Sequence, residues 1–190
     1  MKNKIKVALL ALTIATSSMA ADYTIDTKGM HASVQFKISH LGTSWLYGRF
    51  DKFTGTFSYD ANKPEASKIS MQVSTSSVNT NHAERDGHLR AEGLLNTDKY
   101  PEATFISDAF VLDAAGVGSV TGLLTLHGVE KTVHMDIKKV GEGKDPWGGY
   151  RVGFEGRMKL RLADYGITKN LGKASETMEL IVALEGVRKL

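Results

Sequence analysis

Polar and apolar residues alternate along most of this chain. Ser33–His40 reads SVQFKISH, with Val34, Phe36 and Ile38 on one face and His40 at the same parity. Phe53–Tyr59, Lys68–Ser74 and residues 119–127, 132–140, 151–161 and 178–185 repeat the pattern. Residues 104–112 are extended but of ambiguous parity. A period of two sets one face against a core and the other in water, so these runs predict strands. Seven clear runs and one ambiguous run, closely spaced with Gly-rich turns, predict an all-β fold, either an antiparallel sandwich or an up-and-down barrel. No internal repeat, linker or low-complexity tract interrupts them, which predicts one mature domain.

One long segment, residues 78–105, breaks the alternation. Asn81 is placed to act as a helix N-cap, with Glu84 answering it three residues on. Asp86-Gly87 is expected to interrupt that helix, and Tyr100-Pro101 to return the chain to an extended run. A single helical insertion in a meander of strands is expected to lie over a barrel or seal part of its rim. The outward parity of the last strand carries Ile181 and Ala183, and Leu89, Leu94 and Leu95 are candidates to cover them.

Sandwich and barrel differ in consequence, because a barrel of about eight strands can enclose one small ligand. Gly55, Gly122 and Gly156 each fall at an inward position. They either remove side-chain volume from the interior or permit sharp coiling of the strands. Both readings favour a barrel, and only the first makes it hollow.

The first twenty residues change the charge picture. Lys2, Lys4 and Lys6 precede a short apolar run at 7–14, and Ser18-Met19-Ala20 supplies the small residues of a cleavage site. Residues 1–20 therefore read as a signal peptide cut after Ala20, leaving a mature domain at 21–190. Its removal takes three lysines from the 24 basic residues and nothing from the 21 acidic ones, so the mature chain is neutral. The basic balance of the full chain is thus no argument for nucleic acid or anionic membranes. There is no cysteine, which excludes disulfides, a thiolate nucleophile and Cys-ligated metal. An export signal without a lipidation cysteine predicts a periplasmic protein with no stable membrane insertion.

Six strings in order then resemble the YceI-like family of periplasmic proteins: HLGTSWLYGRF (40–50), TNHAERDGHLR (80–90), LLNTDKYPEATF (94–105), GLLTLHGVEK (122–131), DPWGGYRVGFE (145–155) and LADYGI from Leu162. The resemblance spans essentially the whole mature chain. It implies a single elongated, lipocalin-like antiparallel barrel of about eight strands with one helical insertion near an end. It also implies an isoprenoid amphiphile inside, of the quinone-precursor or isoprenyl-phosphate kind. The candidate ligand contacts are the inward residues Phe36, Ile38, Phe57, Met71, Leu124, Met135, Phe154 and Met158, with His40 and Trp45 at the mouth.

Few polar groups compete for a role. His40 either hydrogen-bonds a head group or caps a strand end. Trp147 and Tyr150 either shield a head group or fold back on the rim, and Arg49 and Arg151 could offer charge to a phosphate. His82 and Asp86, like Glu84 and His88, are four apart, but no cysteines complete a deaminase-type zinc site and no HExxH is present. These read as a solvated helix face, so no metal and no cofactor is predicted. No GxSxG, Walker loop or dinucleotide fingerprint supports an enzyme. The expected function is a carrier of an isoprenoid, lipid-like ligand. The alternative is a stress-related interaction protein with a filled barrel. A homodimer stays open at this stage.

Overall fold

The computed structural model describes residues 20–169 and 172–189. Residues 1–19 of the expected 1–20 signal peptide lie outside the described residues. The described residues form eleven strands and one α-helix: β1 (Ala21–Ile25), β2 (Ser33–His40), β3 (Ser44–Phe50), β4 (Phe53–Tyr59), β5 (Lys68–Ser74), β6 (Val78–Asn79), α1 (Ala83–Arg90), β7 (Glu102–Leu112), β8 (Val117–Leu126), β9 (Val129–Lys144), β10 (Gly149–Arg161) and β11 (Thr177–Lys189).

All pairings are antiparallel, and the ring β1-β4-β5-β7-β8-β9-β10-β11 closes on itself where β1 pairs back with β11. The result is a closed eight-stranded barrel. The remaining strands extend the same rails. β2 continues β1 along β11, β3 pairs with β2 and runs on into β4, and β6 continues β5 against β3. Each pair is one strand interrupted, and the longest interruption, residues 26–32, loops out of the wall between β1 and β2.

The predicted alternation is observed. Val120, Leu124 and Leu126 on β8, and Val152, Phe154, Met158 and Leu160 on β10, are buried. The ambiguity of 104–112 has a physical cause, a β-bulge between Ser107 and Ala109. The bulge switches the inward set from Ser107 to Phe110 and breaks the period. A second irregularity opposite Gly153 and Phe154 leaves Val140 of β9 exposed. Two strands went unnoticed because they are short, β1 and β6. β3 was hidden because its outward residues, Trp45 and Tyr47, are large aromatics exposed to solvent.

α1 departs from expectation at both ends. Its N-cap is His82, whose Nδ1 accepts the Arg85 N–H at 3.2 Å, while Asn81 sits one position earlier at φ +60°. Asp86-Gly87 does not interrupt it. The buried Asp86 carboxylate turns back to accept the Thr80 N–H at 2.8 Å and the Thr80 hydroxyl at 2.5 Å. Arg85 adds two 2.7 Å bonds to the same threonine. A carboxylate in the first helical turn also lies at the favourable end of the helix dipole. α1 packs chiefly on β6, not over the last strand as expected, and Ile181 is half-buried between Gln35 and Arg157. The segment nonetheless meets the barrel end, where the Tyr100 ring lies 4.4 Å from that of His127 in the β8–β9 turn.

Replacing Asp86 by Ala leaves the Thr80 donors unpaired beneath α1 and should cost about 1–3 kcal/mol of stability. Urea unfolding measures this, and an unchanged midpoint would mean that Asp86 does not anchor the helix.

Candidate functional site

The inward residues of the ring divide the interior along its axis. Near the start of β1 and the end of β11 the space is filled by aromatics. Phe154 meets Phe57, Tyr59 and Phe110 edge-on at 6.0, 5.3 and 5.7 Å, and Tyr23 stacks on Phe57 at 5.0 Å. Beyond Phe154 a chamber of about 80 Å³ opens, lined mostly by aliphatic side chains together with Phe105 and Phe110. Thr104 is the only hydroxyl among its lining residues, and no charged group reaches it. Three methionines, Met71, Met135 and Met158, contribute from β5, β9 and β10.

Of the candidate ligand contacts, Met71, Leu124, Met135, Phe154 and Met158 converge on this chamber. Phe57 lies behind Phe154 in the aromatic plug. Phe36 is buried elsewhere, against Phe50 at 5.9 Å and over Gly48, where a Cβ would come within 2.2 Å of its ring. Ile38 is half-buried further along β2. His40 and Trp45 do not stand at the chamber mouth. Both are exposed, and the Lys37 ammonium sits 4.3 Å from the Trp45 ring. The β2–β3 hairpin runs on beyond the last β2–β11 pair, Ile38 with Met178, and the Ser175 hydroxyl donates to the Ser39 carbonyl at 2.8 Å near its tip. Val34, Ile137, Val182 and Leu184 share the inward parity of the expected contacts and also line the chamber. Phe105 and Phe110 were hidden by the bulge.

The inward glycines are not voids. A Cβ on Gly156 would lie 2.5 Å from Met135 Sδ, and one on Gly122 2.7 Å from the Phe105 ring and 2.4 Å from a backbone oxygen. Neighbouring side chains occupy the volume that these glycines release.

Charge is handled outside the wall. Arg151 projects from β10 toward the loop at 26–32 and donates to Asp26 at 2.9 Å, to Asp145 at 2.8 Å and to Glu185. The Trp147 ring lies 5.5 Å from the guanidinium carbon. Asp26 also meets His31 Nδ1 at 2.9 Å and accepts the Gly29 N–H at 2.7 Å. The His31, Gly29 and Arg151 bonds hold the Asp26 carboxyl down at about 2. Asp145 is lowered too, first by the Gly149 N–H and then by Arg151. Asp26, His31 and Glu185 are close enough to suggest a metal site, but the Arg151 guanidinium already bonds both carboxylates there. Arg151 is therefore committed to three carboxylates rather than to a phosphate, and Arg49 is engaged by Asp51 at 2.6 Å. Of the helix residues, His82, Glu84 and His88 are exposed as expected, with His82 capping α1, whereas Asp86 is buried.

Fold and chamber together define a small closed β-barrel with an apolar interior, the architecture that can enclose a small apolar group. The description of a YceI-like domain matches residues 23–186. A UPF0312 protein of Ectopseudomonas mendocina is 55% identical over 190 residues, covering 97% of this chain and all of that protein. Protein YceI of Escherichia coli O17:K52:H18 is 50% identical, covering 97% of this chain and 99% of its own. The chain belongs to the YceI-like family. Among solved structures, the Campylobacter jejuni YceI protein superposes with a TM-score of 0.72 at 28% identity, over 81% of this chain and 91% of that one. A polyisoprenoid-binding domain from Saccharophagus degradans shares the fold, with a TM-score of 0.63 at 19% identity, over 86% of this chain and 97% of that domain.

Asp26 ionises more readily in the folded chain than its ordinary value of 3.8. Its contribution to stability is complete above that value and is lost as pH falls toward about 2. Thermal unfolding at pH 7 and pH 3 should show a smaller drop in Tm for Asp26→Asn than for the unaltered chain. Equal drops would mean that the network contributes no pH dependence.

Proposed function

We propose that this protein is a periplasmic binding protein that holds the tail of an isoprenoid amphiphile inside the barrel. The observation that carries the reading is the uncharged chamber between the aromatic plug and the helical end. A methylene moved from water into such a space contributes about 0.8 kcal/mol, so a five-carbon unit contributes about 4 kcal/mol before ordering costs. The Saccharophagus degradans domain of the same fold, described as polyisoprenoid-binding, supports this choice of tail. Export is supported by the signal pattern and by β1, which starts at Ala21 and would survive cleavage after Ala20 intact.

The chamber holds about 80 Å³, against roughly 300–1,000 Å³ for ordinary small-molecule pockets. A tail of several isoprene units therefore requires its lining to move. Met71, Met135 and Met158 suit this, because an unbranched thioether repacks at little cost. The same small volume favours a second reading, an interaction protein whose filled barrel acts through its surface.

Native mass spectrometry of protein purified from a periplasmic extract, with a denatured control, separates the two. The binding reading expects a polypeptide beginning at Ala21 and a mass excess lost on denaturation, fragmenting in isoprene steps. Leu124→Phe, which narrows the chamber, should at least halve that excess. A bare polypeptide mass under gentle conditions overturns the binding reading in favour of the second.

A further inference from the structure

A second cavity, of about 330 Å³, lies in the outer wall where β1 parts from β4. The β1–β4 ladder ends at Thr24 and Thr56. Past that pair, Gly55 of β4 pairs with Met71 on β5, and no described strand pairs with it on the β1 side. The wall has a notch here because the chain loops out at residues 26–32. The rim of the notch carries hydroxyls, including those of Thr24, Thr54, Thr56 and Ser70, and the Gln72 carboxamide. Its floor is Ile25, Gly55 and Met71.

Met71 lines both this notch and the inner chamber, so a single side chain from β5 borders the two spaces. Gly55 is part of the same partition. A Cβ there would fall 2.6 Å from the Ser70 carbonyl oxygen and 2.7 Å from Ile25 Cδ1, so only glycine lets the Ile25 side chain reach β5. The partition is thus two side chains, Ile25 and Met71, meeting over a residue that has none. Movement of Met71 alone alters both spaces at once.

The geometry points to a lateral port: an apolar tail enters the barrel through the β1–β4 notch past Met71, and its polar head stays among the hydroxyls of the rim. No lysine, arginine or acid lines the notch, so the head it takes is uncharged and bears hydroxyl or carbonyl oxygens. A phosphate would lose water here without gaining a cation. This port rests on the isoprenoid reading for its ligand, but not for its existence.

The chain has no cysteine, so single thiols report access cleanly. Met71 and Met135 are both 8% exposed and both line the chamber, but only Met71 borders the notch. Without any lipid, Met71→Cys should react with monobromobimane at least tenfold faster than Met135→Cys. Adding Thr56→Trp, which covers the notch from outside, should remove most of that difference. Equal rates in the two cysteine variants, or a Met71→Cys rate unmoved by Thr56→Trp, would overturn the port. Geranylgeraniol should then protect Met71→Cys at concentrations at least tenfold below those of geranylgeranyl phosphate, and equal or better protection by the phosphate would overturn the uncharged head. If the thiol rates differ as expected but neither lipid protects, the port stands and the isoprenoid reading fails.

Discussion

The ladder that joins the first strand to the last is the contact on which the rest of the structure depends. Thr24 pairs with Val187 and Ile25 with Gly186, and with these pairs the sheet becomes a ring. A ring has no unpaired edge at that level, and every inward residue of eight strands faces one axis. The ladder is short, so the wall around it is reinforced from outside. Arg151, on β10, bonds Asp26 at the end of β1 and Glu185 on β11. One guanidinium thereby ties the looped-out segment to the strands on which closure depends.

Closure also sets what the interior can be. Aromatic rings crowd the end near the start of β1 and the end of β11, where Phe154 meets three others edge-on. At the other end Tyr100 packs on the β8–β9 turn, and His127 Nδ1 donates to the Tyr165 carbonyl at 2.9 Å. Between the two lies the part of the core richest in unbranched thioethers. Rigid rings at one end and methionines in the middle make a barrel that is firm where it is plugged and adaptable where it is open. Close-packed interiors tolerate such local softness only where side chains can trade places without moving the backbone.

The outside of the barrel is organised by a different rule. Several of its charged residues pair with one another, as in the Arg151 cluster, Arg49 with Asp51, and Lys139 with Glu142 at 2.8 Å. Exposed pairs of this kind add little stability singly, but they occupy cations that would otherwise draw anionic partners. An uncharged chamber is suited to a ligand recognised by its apolar area. The break between β1 and β2 serves both rules, because it places the ionic staple toward β10 and β11 and an uncharged notch toward β4 and β5.

What the sequence by itself determined is the local part: strands with a buried and a wet face, the inward parity of Met71, Leu124, Met135, Phe154 and Met158, and a helical insertion before Tyr100-Pro101. These follow from covalent geometry, since successive side chains of an extended chain point to opposite sides wherever that chain ends up. The six family strings carried the barrel topology as well. Only the tertiary structure decided which inward residues share a chamber, and it left Phe36 outside the chamber lining, against Phe50, and His40 and Trp45 in solvent. It also decided that Arg151 belongs to three carboxylates, that Asp86 anchors α1 through Thr80, and that β1 and β2 are one strand split by a loop. Each of these rests on partners brought together by closure, and period-two alternation holds no information about which strand will be the neighbour.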